Sequence, residues 1–326
     1  MRRIAELGEL ALIRRIESLA GRTSASHRAV ALGIGDDAAV LRVRSGEEVV
    51  ATSDALVEDV HFRWSTQAPT PIGRRALAAT LSDLAAMGAR PLGCLFSLAA
   101  PPSLELRRFD GLARGVVEEA ARAGCPLVGG NVARARQVSL TLTALGAVPA
   151  GRALRRDAAR AGDRIFVTGT LGGAALALAR AERAGTRIRG VPEPRLAAGR
   201  ALVRMGRTHR IACIDVSDGL VSDLGHLLAG PGLGAGIDAA RLPRPPGFDA
   251  ACARLGLDPA TLLASGGEDY ELLFTLDSPA ASKGPSERVL ARRLGVPVTE
   301  IGRVTRRRGL RGLPASALRR PGWRHF

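Results

Sequence analysis

Acidic residues in this chain gather in five short stretches that are otherwise apolar and rich in glycine or alanine. The stretches are GIGDDAAV (33–40), TSDALVEDVHF (52–62), LSDLAAMGA (81–89), IDVSDGLVSDLGHL (214–227) and SGGEDYELLFT (265–275). Together they hold 12 of the 31 acidic residues. Apolar neighbours predict partial burial, and a buried carboxylate needs a cation or hydrogen-bond donors beside it. The fold must therefore bring a counter-charge to these segments.

A divalent metal ion is the best candidate for that counter-charge. Lys283 is the only lysine of the chain, and the five stretches contain no arginine. They offer oxygen ligands without a histidine and cysteine cluster, which favours Mg²⁺, an ion that keeps waters and substrate phosphates among its ligands. One Gly-Asp-Asp turn alone is more often an Asx turn or a helix cap. Five such stretches are hard to explain as independent caps, so the sequence predicts Mg²⁺-assisted phosphoryl transfer.

The sequence motifs of two large kinase classes are missing. The chain has no GxxxxGK[ST] loop and no HRD and DFG pair. Charge on a bound triphosphate must then be met by metal ions on aspartates and by arginine. Backbone N–H groups of glycine turns, such as Gly129-Gly130 and Gly172-Gly173, are further candidates.

The charge balance leaves a second hypothesis open. The chain has 47 basic and 31 acidic residues, a formal net charge of +16, and an arginine-rich segment at 303–324. This balance favours polyanionic partners, either nucleic acid or phosphorylated small molecules. Only 3% of the residues are aromatic, which leaves few rings on which successive bases could stack. A solvated arginine-rich tail is the favoured interpretation, and a nucleic-acid-binding protein is the alternative.

Cysteine spacing and hydropathy predict a cytoplasmic protein without a membrane partner. Cys94, Cys125, Cys213 and Cys252 form no CxxC pair, which argues against structural zinc and disulfides. No uncharged apolar run of about 18 residues is present, and the N-terminus lacks the apolar core of a signal peptide.

Apolar periodicity predicts two domains, 1–150 and 151–326, of mixed α/β (α+β) type. The elements expected in the first are a helix over 3–20, an extended region over 29–62, a helix over 71–88, a strand over 92–99, a helix from a Ser103 cap to Ala123, and a strand, glycine turn and strand over 126–148. Those expected in the second are a strand within 164–171, helices over 173–184 and 194–205, a strand over 211–216, a helix from 219, a strand over 270–276, and a helix and strand through Val304. Acidic clusters are expected at strand ends or tight turns, and 277–287 and 305–312 as exposed loops.

The order of these motifs resembles the thiamine-monophosphate kinase family of the aminoimidazole ribonucleotide synthetase-like superfamily. LSDLAAMGA, IDVSDGLVSDLGH and SGGEDYEL are long and specific, and the resemblance runs from about residue 5 to the terminal GWRHF. It implies a homodimer joined through the N-terminal sheets, and a C-terminal mixed sheet flanked by helices that completes the active-site cleft. It also implies direct transfer of the γ-phosphoryl group of ATP onto thiamine monophosphate, with several Mg²⁺ ions and no covalent nucleophile.

The resemblance assigns roles to individual residues. The positions that match metal ligands are Asp37, Thr52, Ser53, Asp54, Asp83, Asn131, Asp215 and Asp218. The positions that match ATP contacts are Gly130, Asn131, Arg156 and Ser217, and those that match substrate contacts are His61, Glu268 and Trp323.

One position departs from the family pattern. The family usually has aspartate after the glycine pair, where this chain has Asn131. Asparagine still offers a carbonyl oxygen but removes one negative charge, so we expect altered metal affinity there. A superfamily relative acting on another substrate is the alternative enzyme. Such relatives typically carry a reactive cysteine or lysine segment, which we do not find at either end of the sequence.

Overall fold

The computed structural model describes residues 2–25, 27–34, 36–277, 284–319 and 322. The chain divides into two units. The first comprises residues 1–84, 90–151 and 185–191, and the second comprises 85–89, 152–184 and 192–326.

A four-stranded sheet organises the described part of the first unit. The strands of this unit are β1 (Val30–Leu32), β2 (Val40–Leu41), β3 (Glu47–Val57), β4 (Arg90–Ala100), β5 (Leu127–Arg134) and β6 (Ser139–Pro149), and its helices are α1 (Glu9–Ala25), α2 (Pro69–Ala86) and α3 (Leu106–Ala123). The sheet order is β3-β6-β4-β5, and β1 pairs with β2 separately. Along β6, Leu140, Leu142 and Ala144 are buried, and the residues between them are half exposed. One face of the sheet is therefore covered and the other is open.

Two glycines allow α2 and α3 to pack with their backbones in contact. A Cβ atom at Gly115 would lie 2.1 Å from the Thr70 carbonyl oxygen, and one at Gly73 would lie 2.1 Å from the Leu112 carbonyl oxygen. No larger side chain fits without moving a helix. This contact fixes the position of α2, whose C-terminal half carries Asp83.

A mixed six-stranded sheet organises the described part of the second unit, in the order β12-β9-β11-β7-β10-β8. The strands are β7 (Arg164–Thr168), β8 (Ile211–Asp215), β9 (Gly234–Ile237), β10 (Leu272–Leu276), β11 (Val298–Thr305) and β12 (Gly309–Arg311). The helices are α4 (Gly173–Ala184), α5 (Leu196–Met205), α6 (Leu220–Ala229), α7 (Phe248–Arg254), α8 (Pro259–Ser265), α9 (Glu287–Leu294) and α10 (Ala315–Arg319). Asp215, the last residue of β8, pairs with Leu272, the first residue of β10. This register brings the SGGEDYE segment beside the end of β8.

The α/β architecture confirms the predicted fold class. Long periodic segments were located well: the helix expected over 71–88 is α2, and the one expected over 173–184 is α4. No helix within the described ranges is long and apolar enough to cross a bilayer.

The structure corrects several local predictions. The first helix is interrupted, because Gly8 adopts φ +74° between a 3-10 turn at Ile4–Glu6 and α1. The N-cap of α3 is Glu105 and not Ser103. Part of the expected loop 305–312 is β12, which pairs in parallel with β9. Of the other expected loop, residues 278–283 lie outside the described residues.

Two motifs expected in turns lie inside strands. Asp54 is in the middle of β3, where it is tolerated because β3 is an edge strand and the side chain keeps partial exposure. Gly129-Gly130 lie inside β5. Gly130 has φ +153°, and a Cβ atom there would lie 1.9 Å from the Phe96 carbonyl oxygen. Glycine at this position therefore allows β5 to lie close to β4.

The glycine contact between α2 and α3 makes a testable difference. We expect Gly115→Ala to lower the free energy of unfolding by about 1–3 kcal/mol, because the added methyl group overpacks two backbones. Gly225→Ala is the matched control, because Gly225 is also inside a helix but a Cβ atom there meets nothing within 4 Å. The free energy of unfolding of Gly225→Ala should rise by about 0.5–1 kcal/mol. Thermal and denaturant unfolding measure both, and equal effects would contradict the packing argument.

Candidate functional site

The first group of predicted ligands lies where β3 faces α2. Thr52 and Asp54 are on one face of β3, and the Thr52 hydroxyl donates to Asp83 Oδ2 of α2 at 2.5 Å. Burial, and then the negative charge of Asp83, raise the pKa of Asp54 to about 6, against a hydrogen bond with Thr80 that lowers it. Two carboxylates therefore share a poorly solvated site. A cation placed between them would relieve their repulsion.

His61 lies in a turn directly after β3. The Val57 N–H donates to His61 Nδ1 at 3.0 Å, and the His61 N–H donates to the Val57 carbonyl oxygen at 2.8 Å. The backbone of Asp59 within this turn has φ +61°, which is uncommon for a residue other than glycine. The imidazole is thus fixed by its own turn.

Ser53 and Asn131 lie on the other face of the sheet from Asp54. The Ser53 hydroxyl is 3.0 Å from the Thr143 hydroxyl. In the strand register Asn131 lies opposite Ser97 of β4. Asp54 lies opposite Leu142 of β6, in the adjacent row of the sheet, so the two side chains point to opposite faces. Asn131 is exposed on the far edge strand. The structure does not bring Asn131 and Asp54 together within the sheet.

Asp37 lies in an exposed turn before β2. Its backbone N–H donates to Asp36 Oδ1 at 2.8 Å, which is an Asx-type contact between neighbours. Within the part of the chain that the structure describes, no three histidine, cysteine or acidic side chains form a group that could hold a metal ion. The carboxylates come together in smaller sets.

A second group of carboxylates surrounds the end of β8. Asp215 and Asp223 are 3% and 2% exposed. Asp223 Oδ2 accepts the N–H groups of Asp218 at 3.1 Å and Gly219 at 3.0 Å. Burial, and then the charge of Asp215, raise the pKa of Asp223 to about 7. The two N–H groups at the start of α6 are therefore bound by Asp223 from within the helix, and the Asp218 carboxylate takes no part in this contact.

The backbone of the SGGEDYE segment is held against the loop after β8. The Glu268 N–H donates to the Ser217 carbonyl oxygen at 2.7 Å, and the Tyr270 N–H donates to the Val216 carbonyl oxygen at 2.8 Å. Glu268 and Tyr270 have φ +64° and +51°. Such backbone conformations are often found at functional sites. The structure thus brings together Ser217, Asp218 and Glu268, which the sequence analysis assigned to three different ligands.

Asp269, in the same segment, has a structural role. Its carboxylate accepts the N–H groups of Gly172 at 2.7 Å and Ala174 at 3.4 Å, at the start of α4. The Gly172 N–H was expected to be available to phosphate, and it is used by Asp269 instead. Sequence reasoning missed this contact because the two segments are far apart in the chain.

Glu271 is also fully engaged. It accepts from Arg195 Nη2 at 2.7 Å and Nε at 2.8 Å, and from the Thr168 hydroxyl at 2.6 Å. This bidentate pair anchors the end of the segment to the N-terminus of α5.

The last two predicted site residues are Arg156 and Trp323. Arg156 is exposed in the 3-10 turn Arg156–Ala158, and its charge acts on buried Cys213 of β8. Trp323 lies outside the described residues. Gly322, the preceding residue, lies so close to Asp218 that a Cβ atom would be 2.3 Å from its carbonyl oxygen.

The family models that match this chain are those of AIR synthase related proteins. The N-terminal domain model matches residues 35–148 and the C-terminal domain model matches residues 160–313. Among curated proteins, thiamine-monophosphate kinase of Synechococcus elongatus is 36% identical over 317 residues, which cover 93% of this chain and 90% of the relative.

Solved structures agree with these sequence matches. Thiamine-monophosphate kinase from Stenotrophomonas maltophilia has 36% identity and a TM-score of 0.79, over 93% of this chain and 96% of that chain. AaThiL complexed with AMPPCP and TMP has 29% identity and a TM-score of 0.71, over 100% of this chain and 99% of that chain.

The cap made by Asp269 predicts a pH-dependent stability. Burial raises the pKa of Asp269 from 3.8 to about 7, so the folded state binds the proton more tightly than the unfolded state. The stabilisation is complete below about pH 4 and is lost as the pH rises toward 7, at about 1.4 kcal/mol per pKa unit. Asp269→Asn should remove this dependence, so its stability relative to the parent should improve between pH 5 and pH 8.

The control for Asp269 is Asp258, a capping aspartate whose pKa is shifted in the opposite direction. Asp258 caps α8, and its pKa is lowered, chiefly by the Thr261 hydroxyl. Its stabilisation is present above the unfolded pKa of about 3.8, so Asp258→Asn should be less stable than the parent by an amount that stays constant from about pH 5 to pH 8. Thermal unfolding between pH 4 and pH 8 measures both variants, and parallel curves for the two would contradict the assignment.

Proposed function

The chain belongs to the thiamine-monophosphate kinase family, and from that premise we propose that it transfers the γ-phosphoryl group of ATP onto thiamine monophosphate, giving thiamine diphosphate and ADP. The family membership confirms the resemblance seen in the sequence and identifies an enzyme of the phosphotransferase class. The AaThiL complex with AMPPCP and TMP, an ATP analogue and the acceptor, supports both substrates.

The observation that carries the proposal is the pair of Asp54 and Asp83. Both side chains are half-buried, Thr52 on the same face of β3 as Asp54 donates to Asp83, and the negative charge of Asp83 contributes to raising the pKa of Asp54. This donor set suits Mg²⁺, which prefers hard oxygens and completes its shell with water and phosphate oxygens. Small carboxylate sets are sufficient for such an ion because the substrates supply the remaining ligands.

We extend the metal assignment to the positions that match the family. The proposed ligands are Asp37, Thr52, Ser53, Asp54, Asp83, Asn131, Asp215 and Asp218, shared among several ions. The proposed ATP contacts are Gly130, Asn131, Arg156 and Ser217, and the proposed substrate contacts are His61, Glu268 and Trp323. Proximity of Ser217, Asp218 and Glu268 at the end of β8 supports this division of roles.

The chemistry asks the chain to hold and orient two anions. Bound Mg²⁺ would offset the repulsion between donor and acceptor phosphates and stabilise charge on the transferred group. No side chain acts as a nucleophile, because the phosphate oxygen of thiamine monophosphate is already ionised. His61 donates a hydrogen bond to the acceptor phosphate, and the aspartates keep the site negative until the cations enter.

We also propose a homodimer joined through the first unit. The open face of the four-stranded sheet carries small or polar residues, among them Ala51, Ser53, Ala55, Ser97, Thr141 and Thr143, together with the half-exposed Leu95 and Leu145. A face with this composition can pack against its own copy.

The proposed compartment is the reducing cytoplasm. Cys94, Cys125, Cys213 and Cys252 are buried free thiols. Free cysteines of this kind are typical of proteins that work where disulfides do not persist.

The function is tested by incubating the protein with ATP, Mg²⁺ and thiamine monophosphate and measuring thiamine diphosphate by fluorescence after oxidation. We expect product with thiamine monophosphate and little with thiamine, which lacks the acceptor phosphate. Asp54→Asn and Asp83→Asn should each reduce kcat/KM by about 10²-fold or more and raise the Mg²⁺ concentration for half activation. The control is Asp157→Asn, because Asp157 is exposed and paired with Arg155. No product from the parent protein would overturn the function.

The departure at Asn131 gives a separate prediction. Asn131→Asp adds a negative charge at a proposed ligand position, so half activation should occur at a Mg²⁺ concentration about 3- to 10-fold lower. Titration of activity against Mg²⁺ at saturating substrates measures this. Coincident curves for the two proteins would show that position 131 binds no metal.

A further inference from the structure

Glu58 is an acidic residue of the TSDALVEDVHF motif to which the proposed function gives no role. Its two carboxylate oxygens are both used. Oε1 accepts the Trp64 indole N–H at 2.5 Å, and Oε2 accepts the Val138 N–H at 3.2 Å. The Glu58 N–H donates to the Val138 carbonyl oxygen at 2.9 Å. Glu58 therefore joins the end of β3 to the segment before β6 and to Trp64.

Trp64 is itself held on two sides. The Arg108 guanidinium lies over its ring, 4.7 Å from the centroid, and the Phe62 ring contacts it edge-on at 5.2 Å. Phe62 is 4% exposed. The indole N–H is thus a donor of fixed orientation. Its hydrogen bond to Glu58 closes residues 58–64 into a turn, the braced turn.

His61 lies inside this braced turn, and one contact determines its tautomer. The Val57 N–H donates to His61 Nδ1 at 3.0 Å. A backbone N–H can only donate, so Nδ1 must be without a proton, and the neutral imidazole carries its proton on Nε2. The Asp59 N–H also donates to the Phe62 carbonyl oxygen at 2.8 Å, across the same turn. Arg75 donates to the His61 carbonyl oxygen.

We propose that Glu58 is a positioning residue: through Trp64 and Val138 it holds the 57–62 turn so that His61 presents Nε2–H as a neutral hydrogen-bond donor to the acceptor phosphate. This inference rests on the proposed function, in which His61 contacts thiamine monophosphate. It assigns no metal to Glu58, because both of its oxygens already accept hydrogen bonds.

The first variant is Trp64→Phe, which keeps an aromatic ring next to Phe62 and Arg108 but removes the indole N–H donor to Glu58 together with the rest of the five-membered ring. We expect the KM for thiamine monophosphate to rise about tenfold, as for a weakened hydrogen bond to a charged group, and the KM for ATP to stay within about twofold. Glu58→Gln should give the same split, because its NH₂ group would face one of the two N–H donors. The matched control is Thr66→Val, which removes a hydroxyl contact to the Arg63 carbonyl oxygen in the same loop. Equal increases in both KM values, with a lowered unfolding temperature, would overturn the proposal.

The tautomer is measured independently of catalysis. NMR of protein with ¹³C- and ¹⁵N-labelled histidine reports which ring nitrogen is protonated, and His61→Gln identifies the signal. We expect the Nε2–H form in the parent and a mixture of forms in Trp64→Phe. A parent protein with Nδ1–H, or an unchanged His61 signal in Trp64→Phe, would overturn the positioning role. If the parent makes no thiamine diphosphate, the proposed function fails, and the NMR result alone then decides the positioning.

Discussion

Repulsion between carboxylates that are kept out of water is the constraint on which the site depends. The chain carries a formal charge of +16, so arginine is abundant. Buried acids outside the site use it: Glu271 pairs with Arg195, and Asp163 pairs with Arg210. Among the described residues, Asp54 and Asp83 have no arginine within ion-pair distance. The proposed function assigns the charge of this pair to Mg²⁺ from outside the chain.

Holding such carboxylates costs folding free energy, and the surrounding structure supplies the compensation. Thr52 offers its hydroxyl group to Asp83, and backbone N–H groups are offered to Asp223. These contacts do not cancel the effect of burial, because the pKa values of Asp54 and Asp223 stay raised, to about 6 and about 7. A site that stays electrostatically unsatisfied is the usual mark of function rather than of stability.

The sequence predicted the helices, the strands and the chemistry well. It predicted poorly on which face of a sheet a side chain lies and which distant residues contact each other. Periodicity located α2 and α4, and the apolar surroundings of Asp54 and Asp83 correctly indicated burial. The contact of Asp269 with Gly172 could not be found, because it joins residues 97 positions apart. The face of the sheet on which Asn131 lies could not be predicted for another reason. The register of β5 against β4 shifts by one residue between Cys94 and Leu95, which aligns Asn131 with Ser97 instead of Leu98, and a one-residue shift reverses every side chain that follows.

That shift also limits what the asparagine can affect. β3 and β5 are opposite edges of the sheet, three strand spacings apart, which is about 14 Å at about 4.8 Å per spacing. Two ligands of one Mg²⁺ lie within about 4 Å of each other, since each bond is about 2.1 Å. Asn131 and Asp54 also lie on opposite faces of the sheet, so the described structure does not bring these two residues of one chain to the same ion. The charge absent at position 131 leaves the repulsion between Asp54 and Asp83 in place, so the magnesium site proposed for this pair does not depend on the departure from the family pattern.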